Sequence, residues 1–389
     1  MLDKAKAVQD QIIKWRRQIH MNPELGFEEE QTAKLIAETL DSFGLKVKTG
    51  VAKTGVMASI GAGKPAVGLR ADMDALPLQE ENEAEYASKI PNRMHACGHD
   101  THVAMLLGAA KLLSEMPDKP AGEIRFLFQP SEERWDEDGV SGGSLMVQEG
   151  LVEDLDAVFA LHINSLIPPG QLMAGDGHVL AAPDVFDAVI TGKGTHGAYP
   201  HAGVDPIYAF AQVVNAIHGI HARRINPLKP SVISIGAVHS GDAHNIIPKE
   251  VSFKGTIRSY EEEIRSQLHE ELKRAMRVAE ALGCKTELNI SRGYPATFND
   301  PAVAALGRDT AKSLLGDDCL FPFEPSMGGE DFSYMSNAVP GAIFFLGGQI
   351  GQDQRPHHNP RFDIDESALP IGAALLAQTA VNILKQFKS

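Results

Sequence analysis

The segment AVGLRADMD at residues 66–74 and the segment MHACGHDTHVAMLLGAAKLLS at residues 94–114 together indicate the fold. The first is a short apolar run that ends in two aspartates, which is typical of a buried strand followed by a polar loop. The second begins with polar, chemically reactive side chains and continues from residue 101 as a helix. A strand, a polar loop and a helix in this order are the repeating unit of α/β domains.

The same alternation continues in both directions along the chain. Short apolar runs, mostly bounded by Gly, Pro or Asp, predict further strands at residues 56–60, 123–128, 157–161 and 342–346. Since helical segments lie between the strands, we expect an α/β fold with a mostly parallel sheet and helices on both faces. The apolar segment 369–384 is shorter than the ~20 residues of a membrane span, and we interpret it as a buried C-terminal helix.

The middle of the chain has a different pattern. Its predicted elements follow the order βαββαβ of a ferredoxin-like unit, at residues 185–191, 206–224, 231–238, 251–258, 260–282 and 285–290. Ser259 and Glu262 have the spacing of a capping box for the second of its helices. We therefore predict a discontinuous α/β domain at 1–181 and 297–389, with a small domain at 182–296 inserted into it.

Composition limits the class of protein. The chain has 389 residues, 43% of them hydrophobic and 22% charged, as in a soluble globular protein of two or three domains. A formal net charge of −15 argues against nucleic acid or an anionic membrane as a partner. The three cysteines are too few and too scattered for a disulfide framework, and the N-terminus lacks the apolar core of a signal peptide. We therefore expect a cytoplasmic protein.

Side chains that can bind metals follow the predicted strands one after another. In open α/β sheets ligands bind beyond the carboxyl ends of the strands, so we expect these side chains to meet at one edge of the sheet. Between the second and third strands, the loop 94–102 adds a cysteine and three histidines. The residues that follow the strands are Asp72, Asp74, Glu132, Glu133, His162, His357 and His358.

A thiolate, imidazoles and carboxylates suit Zn²⁺, with Mn²⁺ or Co²⁺ as alternatives. Cys97 and His99 are two residues apart, so both can reach one metal from an extended loop. Glu132 and Glu133 would point in different directions, so one can bind metal while the other acts as general base to a water. Taken singly, these residues also fit a polar loop, a solvated turn and, for His162, a core histidine. Their convergence is what favours a site.

One glycine-rich segment is a false signal. Residues 192–197, GKGTHG, fit the pattern G-x-G-x-x-G after a strand, but Pro200 and a loop precede the next helix near Pro206. A dinucleotide-binding fingerprint requires the helix to open at the glycines. The sequence also contains no Walker A pattern and no H-E-x-x-H pattern, and the absence of H-E-x-x-H argues against a zincin.

The ordered motifs of the chain resemble those of the M20 metallopeptidase family. The resemblance is closest to its amidohydrolase subfamily, which includes hippurate hydrolases, bacterial N-acyl-amino-acid amidohydrolases and plant auxin-conjugate (IAA-amino acid) hydrolases. It runs from about residue 16 to residue 373. The matching segments are RRQIHMNPELGFEEEQT, GLRADMDALPL, HACGHDTHVAML, QPSEE, ALHI, GKGTHGAYPHAGVDPI, HNIIP, GTIRS, MGGEDF and HHNPRFDIDE.

The resemblance implies a zinc-peptidase-like catalytic domain that binds two divalent ions, Zn²⁺ or Mn²⁺, with Co²⁺ or Ni²⁺ as alternatives. Carried over by position, Glu132 would be the general base, and Asp74 would support the metal cluster. His358 is preferred to His357 because the family places this ligand two residues before Pro360. In most relatives an apolar residue stands at the position of His357. The implied metal ligands are Cys97, His99, Glu133, His162 and His358.

The inserted domain would then be a lid and dimerisation domain, in a homodimer or homotetramer. His196 matches a histidine that reaches a neighbouring subunit's site in relatives and stabilises the oxyanion. Asn245 and Arg258 match positions that hold the substrate carboxylate. Without the resemblance, these three would be a loop histidine, a turn asparagine and an arginine at the end of a strand.

The implied function is metal-dependent hydrolysis of the amide bond of small N-acyl amino acids, which releases the acyl group and a free amino acid. Two alternatives remain from the sequence. One is a dipeptidase or carboxypeptidase of the same family, acting on short peptides. The other is a non-catalytic protein that binds metal or amino acids, against which the presence of Glu132 and a complete ligand set argue.

Overall fold

The computed structural model describes residues 1–119 and 121–387. Two compact units are present. The first comprises Met1–Val179, Phe298–Pro325 and the chain from Asp331 onward, and the second comprises Leu180–Thr297 with Ser326–Glu330. The sequence had placed residues 326–330 with the first domain. They group with the second unit, in which Ala181 donates a backbone hydrogen bond of 2.8 Å to the carbonyl of Gly328.

The secondary structure alternates along the first unit and follows the βαββαβ order in the second. The strands are β1 (Lys46–Val51), β2 (Gly55–Ala62), β3 (Ala66–Asp72), β4 (Gly122–Gln129), β5 (Ala157–Asn164), β6 (Leu172–Met173), β7 (Gly177–Leu180), β8 (Ala182–Thr191), β9 (Thr195–His196), β10 (Ser231–His239), β11 (Ile246–Ile247), β12 (Glu250–Ser259), β13 (Lys285–Ser291), β14 (Thr297–Asn299) and β15 (Gly341–Gly347). The helices are α1 (Leu2–Ala7), α2 (Gln9–His20), α3 (Glu30–Ser42), α4 (His99–Ser114), α5 (Gly142–Gln148), α6 (Pro206–Arg223), α7 (Glu262–Ala281), α8 (Pro301–Leu315), α9 (Ser333–Ala338) and α10 (Ala368–Gln386).

The first unit is built on a seven-stranded sheet in the order β1-β2-β4-β3-β5-β15-β6, within the described residues. The four central strands, β4, β3, β5 and β15, are parallel to one another. The outer strands β1, β2 and β6 pair antiparallel. The predicted α/β class is confirmed, and the antiparallel edges are a feature that the sequence pattern did not indicate.

The centre of the first unit is apolar and closely packed. Every residue of β3 is buried, and so are most residues of α4, which packs against α10. Helix α10 is long and apolar enough to cross a membrane by length and composition, but 78% of its most apolar window is buried inside the protein. It is therefore the core helix that the sequence predicted.

The second unit is a four-stranded antiparallel sheet in the order β10-β12-β8-β13, packed against α6 and α7. This is the ferredoxin-like unit that the sequence predicted. The expected capping box is wrong. Ser259 ends β12 with a buried hydroxyl that has no hydrogen-bond partner in the described chain, and α7 begins at Glu262 without a side-chain cap there.

The glycine-rich segment of the second unit continues into β9 and a 3₁₀ turn at Pro200–Ala202 before α6 begins. The Asp205 carboxylate accepts hydrogen bonds from the amides of Ile207 and Tyr208 and caps α6. The helix therefore starts well after the glycines, which confirms that this segment is not a dinucleotide fingerprint.

Candidate metal centre

The side chains that the sequence singled out are carried by the carboxyl ends of the central strands. Asp74 follows β3, Glu132 and Glu133 follow β4, and His99 is the first residue of α4. Strand β5 continues to Asn164, so His162 lies inside the strand and not after it, as the sequence had suggested. The loop after β15 carries His358.

Among the five candidate groups of metal ligands in the described chain, two contain Cys97. Cys97, His99 and His162 offer atoms that all lie within 4.8 Å of one another, and so do Cys97, Glu133 and His358. The Cys97 Sγ lies 3.6 Å from His162 Nε2, and the His358 Nε2 lies 3.1 Å from Glu133 Oε1. The Cys97 side chain could therefore serve as a ligand in both of these groups.

The donors fit divalent ions chemically. One sulfur, three imidazoles and a carboxylate match the ligand preferences of Zn²⁺ and of neighbouring transition metals. The His99 Nε2 is buried and has no hydrogen-bond partner among the described residues, although buried polar atoms are usually paired. An ion between these side chains would satisfy it.

Glu132 is the second carboxylate at this position. Its side chain is buried, and one of its oxygens lies within 4.8 Å of ligand atoms of His99 and Glu133. The two adjacent glutamates therefore reach the same cluster. This arrangement allows one carboxylate to bind a cation while the other handles a proton.

The electrostatics of the cluster favour positive charge. Burial alone would lower the pKa of His99, but the carboxylates of Asp72, Asp74 and Glu133 outweigh it and raise the pKa to about 10. Burial likewise opposes ionisation of Glu133, yet His358 and His99 hold its pKa below the ordinary value. Burial and the nearby Glu133 raise the pKa of the Cys97 thiol, so a thiolate here requires a cation beside it.

Carboxylates and carbonyls orient the candidate ligands. Asp74 lies 3.1 Å from His99 Nδ1 through one oxygen and accepts the Glu133 amide at 3.0 Å through the other. It thus contacts one residue of each group. The Nδ1 of His162 lies 2.6 Å from the carbonyl of Ile163, which leaves Nε2 to face the cluster.

His102 is a residue that sequence reasoning did not assign. Its Nδ1 lies 2.5 Å from Asp72, and its Nε2 accepts the Ile163 amide at 2.8 Å, next to His162. Arg70 in turn holds Asp72 through a buried ion pair of 2.8 Å. The spacing of three residues from His99, which places both imidazoles on one face of α4, was the available signal.

His357 takes a different place from His358. Its ring packs 5.3 Å from that of His162 and 5.0 Å from that of Phe362, centroid to centroid. Burial, reinforced by His162, lowers its pKa to about 2, so the imidazole is neutral. None of the ligand groups found in the described chain contains His357.

The second unit carries the three remaining residues. His196 lies in β9 and is exposed, and Gly197 donates a 2.7 Å hydrogen bond to the carbonyl of Asn245, so these two segments are neighbours. Arg258 is half-buried on β12, apart from that pair of strands. Its guanidinium donates to the carbonyls of Ile257 and Asp184 at 3.1 and 3.4 Å, and no carboxylate of the described chain forms a salt bridge with it.

The chain is similar to known proteins along nearly its whole length. The model of Peptidase family M20/M25/M40 matches residues 68–382. The chain is 43% identical to Thermostable carboxypeptidase 2 of Saccharolobus solfataricus, covering 97% of this chain and 96% of the relative. It is 40% identical to IAA-amino acid hydrolase ILR1-like 2 of Arabidopsis thaliana, covering 98% and 87%. A solved Bacillus subtilis structure, described as a dinuclear metal binding peptidase from the M20 family, has a TM-score of 0.84 at 31% identity, covering 98% and 99%.

Proposed function

Because the chain belongs to peptidase family M20/M25/M40, we propose that it hydrolyses the amide bond of N-acyl amino acids with two divalent metal ions. The observation that carries the proposal is the position of Cys97 in both ligand groups. Two-metal hydrolases use a pair of closely spaced divalent ions, and Cys97 could serve as a ligand to either of them. The proposed ligands are Cys97, His99, Glu133, His162 and His358.

When bound, the two ions would polarise the amide carbonyl and lower the pKa of a water molecule. Glu132 would take the proton from that water and pass it to the leaving amine. Its buried position beside Glu133 supports this role. Asp74 would keep His99 and Glu133 in place through its two oxygens.

The second unit would supply substrate recognition. We propose that Arg258 and Asn245 bind the carboxylate of the substrate. The guanidinium of Arg258 is half-buried and forms no salt bridge within the described chain, so it is suited to bind an anion. His196 would stabilise the oxyanion in a neighbouring subunit's site. Exposed apolar side chains on this unit, among them Tyr199, Tyr208 and Ile246, support its role as lid and as the interface of a homodimer or homotetramer.

Zn²⁺ is the proposed metal because a shared thiolate and three imidazoles favour it, with Mn²⁺, Co²⁺ or Ni²⁺ as alternatives. All three cysteines are free. Unpaired thiols are the normal state in a reducing compartment, so we place the protein in the cytoplasm.

A carboxypeptidase or dipeptidase acting on short peptides is the second candidate. It is favoured by the 43% identity to the carboxypeptidase of Saccharolobus solfataricus. Both reactions use the same metal chemistry and the same carboxylate recognition. They differ in whether the amide nitrogen is acylated by a simple acyl group or by an amino acid. Parallel assays of N-acetyl and N-benzoyl amino acids against dipeptides therefore separate them.

The test of the proposed function combines a chelator with the Glu132→Ala variant. The wild type should hydrolyse N-acyl amino acids, lose activity on dialysis against a chelator and regain it with Zn²⁺ or Mn²⁺. Glu132→Ala should lose turnover while its metal content, measured by elemental analysis, stays near two ions per chain. Activity that survives in the chelated wild type, or in the variant, would refute the proposal.

A further inference from the structure

The turn that carries Glu132 has an unusual backbone. Ser131, the residue before it, has φ of +46° and is completely buried. This left-handed conformation is uncommon and strained for residues other than glycine, so the surrounding structure must hold it.

Two carboxylates accept hydrogen bonds from the backbone on either side of Glu132. The amide of Ser131 donates a 2.8 Å hydrogen bond to Glu29 Oε1, and the amide of Glu133 donates a 3.0 Å bond to Asp74 Oδ2. The other oxygen of Glu29 accepts a hydrogen bond of 2.5 Å from the Thr54 hydroxyl. Glu29 is therefore fixed at both oxygens and holds the turn at its first residue.

The segment that contains Glu29 packs closely against the turn at Ser131. A Cβ placed on Gly26 would lie 2.3 Å from Ser131 Oγ, so only glycine permits the approach. Phe27, the next residue, also has a left-handed backbone, with φ of +63°. The segment thus places a glycine directly against the Ser131 side chain and follows it with a residue in a left-handed conformation.

We propose that Glu29 is a positioning residue for Glu132, which it aims by holding the Ser131 amide; this rests on the proposed function, in which Glu132 is the general base. Glu29 would not touch substrate or metal. The burial of the Glu29 carboxylate also destabilises the folded protein. Burial and the nearby Asp74 raise the pKa of Glu29 to about 7, so the folded protein stabilises its charged form poorly. A group retained at such a cost is expected to serve the site.

Glu24 offers a matched control on the same segment. It is a buried carboxylate that accepts two backbone amides, from Gln31 at 3.0 Å and Thr32 at 2.8 Å. These amides belong to the first turn of α3 and not to the turn before Glu132. Truncating Glu24 should therefore disturb the fold to a similar extent without redirecting the general base.

The experiment compares Glu29→Ala, Glu29→Gln and Glu24→Ala as full-length, metal-loaded enzymes. Loss of a group that orients a catalytic residue typically reduces activity about 10–100-fold, and we expect that loss in kcat for Glu29→Ala. The KM and the metal content should stay within about twofold, since Asp74 and His358 still hold Glu133. Glu29→Gln keeps an oxygen for the Ser131 amide and should recover most of kcat.

Each outcome decides the proposal. A fall in kcat for Glu29→Ala, rescued by Gln and absent from Glu24→Ala at equal thermal stability, supports it. Unchanged kcat in Glu29→Ala, an equal loss in Glu24→Ala, or a loss of metal in step with activity overturns it. Failure of the proposed function is distinguishable, because then the wild type itself is inactive or Glu132→Ala remains active.

Discussion

Asp74 should set the metal affinity of both ligand groups, and replacing it with asparagine tests this. Its two oxygens contact His99 Nδ1 at 3.1 Å and the Glu133 amide at 3.0 Å, one residue from each group. An asparagine can still accept the Glu133 amide, but its NH₂ then faces His99. That donor favours the His99 tautomer with the proton on Nε2, the nitrogen needed by the metal.

The expected change in metal affinity follows from the loss of the hydrogen bond between Asp74 and His99. A hydrogen bond to a charged group contributes about 1.5–3 kcal/mol, and orienting groups of this kind typically change metal affinity about 10–100-fold. We therefore expect the dissociation constant for Zn²⁺ to rise about 10–100-fold in Asp74→Asn, by chelator-competition titration at fixed pH.

Asp156 provides the control, because it contacts the first residue of β3 whereas Asp74 follows the last. Its carboxylate accepts the Ala66 amide at 2.7 Å, where β3 begins, and it belongs to none of the ligand groups of the described chain. Asp156→Asn should bind Zn²⁺ like the wild type. If Asp74→Asn also bound Zn²⁺ as tightly as the wild type, the orienting role inferred from the two contacts would be refuted.

Two further predictions concern the second unit. Arg258→Lys should raise KM about tenfold or more for N-acyl amino acids, because lysine lacks the planar fork that fits a carboxylate; an equal rise for esterified substrates would remove the assigned role. Asp184 is buried, yet hydrogen bonds from Arg265 and His269 hold its pKa below the ordinary value. Its ionised form therefore stabilises the fold above the unfolded pKa of about 3.9, and that stability is lost as the pH falls further. Asp184→Asn should lower the urea midpoint of unfolding at neutral pH. Below the unfolded pKa, the midpoint of the variant should fall less steeply with pH than that of the wild type. Equal slopes for the two proteins would contradict the role assigned to Asp184.

Local sequence patterns determined most of the secondary structure. The apolar run at residues 66–70 became the core of β3, and the run from residue 101 became α4. Such elements depend on periodicity and flanking residues within a few positions of the chain. The capping box at Ser259 failed because strand pairing of β12 extends through that residue, which the local pattern does not contain.

The sequence also determined which side chains are available for chemistry, since Cys97, His99, Glu133 and His358 are recognisable by type and by their places after strands. Only the tertiary structure decided that Cys97 belongs to both ligand groups and that Glu29, about a hundred positions away in the chain, holds the Ser131 amide. The reason is physical. Hydrogen-bond partners and shared ligands depend on distances of a few ångströms, which packing of the whole unit fixes and no local pattern encodes.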